Sequence, residues 1–119
     1  MSKNVVKDKS YAFAIQIIEL FKVLIDKKEF VLSKQLLRSG TAVGALIQEA
    51  EHAESKKDFI HELSISLKEA NETTYWLNLL FDTCYIEKEN FDKIRNLNIE
   101  LIRLLVTIIK SSKNNLQNG

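Results

Sequence analysis

LLRSGTAVGALIQEAEHAESKKDFIHELSISLKEANETTYWL, residues Leu36 to Leu77, reads as two amphipathic helices joined by a capping sequence. In the first of these helices, which starts at about Ser33, Leu36, Gly40, Val43, Ile47 and Ala50 alternate by four and three. That is the spacing of a heptad seam, here built largely of small residues. A mid-helix glycine costs about 1 kcal/mol relative to alanine. Gly40 and Gly44 share a face, so the spacing predicts close approach of a neighbouring helix. Ser39 and Thr41 lie near the seam and are expected to hydrogen-bond across it or back to their own helix. Ser55-Lys-Lys-Asp58 is a variant capping box, with Ser55 at the N-cap and Asp58 three residues on. The following helix then runs to about Phe81 on Phe59, Leu63, Ser66 or Leu67, Ala70, Thr74, Leu77 and Phe81.

Working outward, a preceding helix is expected from Ser10, as N-cap, to Lys27, with Ala14, Ile17, Ile18, Phe21, Leu24 and Ile25 at helical spacing. Phe13, Ile15, Leu20 and Val23 widen its apolar surface beyond one stripe, a first pointer to self-association. A last helix is expected from about Asn90 to Ser111 on Phe91, Ile94, Leu97 or Asn98, Leu101, Leu105 and Ile108. The polar ends, MSKNVVKDK and SSKNNLQNG, read as frayed tails. The chain is therefore expected to be one all-α domain over 1–119, ordered over about 9–112, folded as an antiparallel up-down-up-down four-helix bundle.

Composition agrees. The 119 residues include no proline and three glycines, too few for the tight turns of a sheet protein. The formal charge of +1 provides no global basic field. One cysteine, Cys84, cannot form an internal disulfide, which fits a reducing cytoplasm. The start lacks the apolar core of a signal peptide, and no apolar run reaches the ~20 residues of a membrane span. A soluble cytoplasmic protein without membrane partners is expected.

The run LSKQLLRSGTAVGALIQEA, followed by KDFIHELSISLKEANETTYWL, resembles the bacterial four helix bundle protein family, also called the 23S ribosomal RNA intervening-sequence protein family. The resemblance covers most of the chain and is strongest over residues 31 to 80. It implies an antiparallel four-helix bundle that forms a homo-oligomer, a pentameric ring or barrel, with no enzymatic activity attached. Relatives of the fold include the accessory protein of diversity-generating retroelements, which binds nucleic acid and a reverse transcriptase. This chain departs from the family pattern at Ala42, where a second hydroxyl is usual, and at Leu46, where an Asn is common. The polar cluster implied there is thinned to Ser39, Thr41 and Glu49.

Several residues are candidates for function. Glu49 and His52 form an E-x-x-H, the spacing of carboxylate-bridged di-iron bundles, but Glu69 and Glu72 have no partnering histidine, since His61 is too far away. The spacing therefore argues against a metal, and no cofactor is expected. Glu49, Glu69, Glu72 and Tyr75 form either a polar network with Ser39 and Thr41, a solvated face, a subunit interface or a ligand site, with Lys34 and Arg38 as the nearest cations. Tyr75 and Trp76 suit an interface or core packing better than base stacking, since no basic residue lies between Lys68 and Lys88.

Charge is segregated along the chain. Residues 49–72 hold seven acids against three lysines, whereas 1–9 and 110–119 each carry a net +2. Lys3, Lys7, Lys9, Lys110 and Lys113 could form a positive rim able to contact RNA or DNA phosphates, or could serve solubility alone. No nucleophile constellation and no phosphate-binding glycine loop is present. The sequence thus predicts a non-enzymatic, self-assembling bundle, with a nucleic-acid-binding accessory as the alternative.

Overall fold

The computed structural model describes residues 5–118. They form four helices, α1 (Val5–Asp26), α2 (Leu32–Ala50), α3 (Lys56–Asp82) and α4 (Lys88–Asn118), and no strand occurs among the described residues. Each helix packs on two others in the cyclic order α1–α2–α3–α4, α1 and α4 sharing the smallest face. The longest dimension is 52 Å, close to the length of the 31-residue α4 at about 1.5 Å per residue. The helices therefore lie along one axis.

Contacts fix which positions face each other. Between α1 and α2, Lys7 pairs with Glu51, Ser10 lies against Gly44, and Ile17 lies against Gly40. Between α2 and α3, Val43 meets Ser66 and Ser39 meets Thr73. Phe81 stacks on Phe91 and Thr74 bonds Asn98 between α3 and α4, while Lys9 reaches Glu100 between α1 and α4. In the α1–α2, α2–α3 and α3–α4 contacts, numbers rise along one helix as they fall along the next.

Both turns at one end follow the same plan. Lys28 and Cys84 have positive φ, 64° and 69°. The amides of Glu29 and Tyr85 donate to the carbonyls of Leu24 and Leu80, five residues back, and those of Lys28 and Cys84 to Ile25 and Phe81. This is the Schellman ending that glycine usually supplies. Lys27 Nζ donates to the Tyr85 carbonyl at 3.0 Å, tying the two turns together. At the start of α2 the buried Glu29 carboxylate accepts from the amides of Val31, Leu32 and Ser33, the last at 2.6 Å. Its reach of four residues satisfies donors that a helix start leaves orphaned.

The seam of α2 lies where its spacing placed it, with Leu36, Gly40, Val43, Ile47 and Ala50 all buried. Ser55 accepts from the Asp58 amide at 3.0 Å, and Asp58 accepts in return from the Glu54 amide rather than from Ser55 itself. Other expectations need correction. Ser10 is not an N-cap: it is buried inside α1, and its hydroxyl donates to the Lys7 carbonyl. Nothing between Val5 and Ser10 breaks a helix, and burial of Val6 extends the core by a turn. The α1 seam is Phe13, Ile17, Leu20 and Leu24, leaving Ala14, Phe21 and Ile25 half-buried and Ile18 exposed. In α3 the inward residues are Ile60, Thr73 and Leu80 rather than Phe59, Thr74 and Phe81. In α4, Asn98 and Ile109 are buried, whereas Leu97 and Ile108 are half-buried. The last helix continues past Ser111 to Asn118, since its polar residues lower helix propensity without breaking the backbone.

Candidate functional site

Two surfaces of the bundle carry more than ordinary solvation. The first is the polar border between α2 and α3. Arg38 Nη1 donates to Glu69 Oε1 at 3.1 Å, Nη2 donates to Glu72 Oε2, and Nε donates to Gln35 at 3.2 Å. Glu72 Oε2 also accepts from Trp76 Nε1 at 2.9 Å. One guanidinium thus bridges two carboxylates one turn apart, and the indole is oriented by the same oxygen. Tyr75 meets Trp76 edge to face, with centroids 5.1 Å apart, and is 57% exposed. Of the two cations expected nearest these carboxylates, Arg38 reaches them from the neighbouring helix, 38 residues earlier in the chain than Trp76.

The expected single polar network is therefore divided. Ser39 lies in the core, where its hydroxyl meets Thr73 Oγ1 at 2.8 Å. Thr41 turns the other way and donates to its own Leu37 carbonyl at 2.7 Å. Glu49 and His52 are exposed near the close of α2, away from Arg38. Among the described residues no group of three or more His, Cys, Asp or Glu could hold a metal ion.

The second surface lies along α1 and α2 on the Thr41 side. A groove of about 700 Å³ is lined by Ser10, Tyr11, Ala14, Thr41, Gly44 and Ala45 together with the polar Lys7, Asp8 and Gln48. Tyr11 is 71% exposed, and Ile15 and Ile18 continue its face at four- and three-residue spacing. Apolar rings and methyls in that register are costly to leave in water unless another surface covers them.

Two of the terminal lysines are engaged by acids. Lys7 pairs with Glu51 at 2.8 Å and Lys9 with Glu100 at 3.1 Å. Lys110 and Lys113 are exposed on α4, and Lys3 lies outside the described residues. Among the described residues no helix is long and apolar enough to cross a membrane.

Against this geometry, the model of the family described as 23S rRNA-intervening sequence protein matches residues 2–107. The chain belongs to that family. A solved family relative is similar throughout: a crystal structure, at 1.70 Å resolution, of a protein of unknown function from the S23 ribosomal protein family of Bacteroides thetaiotaomicron VPI-5482. The two chains share 57% identity over 92% of this chain and 99% of that one, with a TM-score of 0.90. No curated protein matches the chain. Family membership thus accounts for the fold, and nothing in the family or in this relative points to catalysis.

Proposed function

We propose that this family member is a non-catalytic, self-assembling bundle that works in the cytoplasm as one domain. Its helices run up-down-up-down, each antiparallel to its neighbours, a reading supported by the opposed numbering of the α1–α2, α2–α3 and α3–α4 contacts. Its copies join through the α1–α2 face, in the ring of five that the family resemblance implies. The observation that carries this reading is the exposed stripe Tyr11, Ile15 and Ile18 beside a groove of small residues. Small residues admit a partner helix closely, and the stripe supplies apolar area worth about 25 cal/mol per Å² when covered.

The double variant Ile15→Glu with Ile18→Glu tests this face. Both positions are exposed, so the single bundle keeps its helical circular dichroism, and sedimentation velocity is expected to show loss of the assembly. An assembly that survives both charges places the interface elsewhere.

A nucleic-acid role is the second reading, supported by the exposed Lys110 and Lys113. It is weakened by the pairing of Lys7 and Lys9 with acids. It predicts salt-sensitive binding of structured RNA or DNA. Lys110→Glu and Lys113→Glu should each lower the slope of log K against log salt by about 0.9, the value for neutralising one duplex phosphate. No retention at low salt removes this reading.

A further inference from the structure

Away from its ends the core is apolar apart from one polar stretch, and one member of that stretch is only half satisfied. Asn98 is fully buried on α4. Its Nδ2 donates to the Ala70 carbonyl and to Thr74 Oγ1, both at 2.9 Å, whereas its Oδ1 meets no partner among the described residues. Across the α2–α3 seam, Ser66 Oγ donates to the Val43 carbonyl at 2.8 Å, alongside the Ser39–Thr73 contact. A buried amide oxygen without a donor opposes folding, and a leucine of similar size would carry no such penalty.

What the asparagine supplies is position. Ile94, Leu101 and Leu105 on α4 are fully buried aliphatic residues of closely similar volume. Sliding α4 by one turn, about 5.4 Å, would exchange one such residue for another against α3 at little packing cost. The amide of Asn98 cannot be exchanged in that way. The observed axial setting brings Nδ2 within reach of both the Ala70 carbonyl and Thr74 Oγ1, and a shift of one turn breaks both contacts at once. A single polar residue at a seam position fixes register in coiled coils by this same penalty.

We propose that Asn98 is the register key of the bundle, a specificity-determining residue that locks α4 against α3 while lowering stability. The test is Asn98→Leu in the full chain, read by thermal unfolding and by hydrogen exchange with mass spectrometry. The expected result is a midpoint about 5 °C higher, together with α4 peptides that exchange as two populations or roughly tenfold faster. Leu101→Met, a volume-conserving apolar change in the adjacent layer, is expected to keep one population. A fall in the midpoint of Asn98→Leu overturns the proposal, since the amide would then be stabilising on balance. Parent-like exchange overturns it as well, as does the same heterogeneity in Leu101→Met.

Discussion

At Gly40 an added Cβ would stand 2.8 Å from Cγ1 and 2.9 Å from Cγ2 of Ile17, which is itself fully buried. At Gly44 the nearest atom would be Ser10 Oγ at 3.2 Å, then the Ser10 carbonyl oxygen at 3.4 Å. Alanine gains about 1 kcal/mol of helix propensity at either site. Overpacking a tight core costs about 1–3 kcal/mol, and that cost falls on Gly40, where Ile17 has no solvent to move into. Urea unfolding is predicted to find Gly40→Ala destabilised by up to about 2 kcal/mol and Gly44→Ala within about 0.5 kcal/mol of the parent. Equal effects at the two sites would contradict the packing argument. Cys84 makes the opposite case. A non-glycine residue at positive φ carries about 1–2 kcal/mol of steric cost, part of which glycine's greater unfolded-state freedom offsets. Cys84→Gly is therefore predicted to be neutral or stabilising by up to about 1 kcal/mol, and a clear loss of stability would show that the thiol makes a contact of its own.

At the scale of the helices, endings depend on reach rather than on residue type alone. The Ser55 cap was legible because both partners sit three apart in a familiar pattern. The Glu29 cap was not, since a glutamate four residues ahead of Ser33 resembles ordinary loop charge until the carboxylate is seen folded onto the α2 amides. Ser55→Ala is predicted to cost about 1 kcal/mol, and Glu29→Ala more, about 2 kcal/mol, because three amides lose their acceptor together. The same limit explains the seams. Small residues left one clear phase on α2, whereas α1 and α3 present adjacent apolar rows at neighbouring phases, such as Phe13 with Ala14 and Thr73 with Thr74. Only the position of the neighbouring helix decides between such rows. In the first turns of α4, the hydrogen bond from Lys88 Nζ to Asp92 Oδ2, at 2.7 Å, lowers the Asp92 pKa, with the charges of Lys88 and Arg95 adding to it. A lowered folded-state value means that this contribution is present above the ordinary aspartate range and is lost as pH falls through the folded value. NMR titration of the Asp92 carboxyl should place its midpoint below that of a free aspartate, and Lys88→Ala should raise it.

For the whole molecule, the order of helices was readable because proline is absent, glycines are few and the connections are short. The division of the polar residues was not readable. Ser39 and Thr41 are two apart in sequence and point into different helix pairs, one toward Thr73 and the other toward the α1 groove. The Arg38 bridge is half-exposed, and exposed ion pairs contribute about 0–1 kcal/mol. It is better suited to orienting Trp76 on the surface than to holding the fold together. The fold leaves Tyr11, Ile15 and Ile18 of α1 exposed, and self-assembly through that face would cover them. Size-exclusion chromatography with light scattering at micromolar concentration tests it most directly. A single species at a multiple of the 13.7 kDa chain mass is predicted, five-fold for the ring; a species of 13.7 kDa would contradict it.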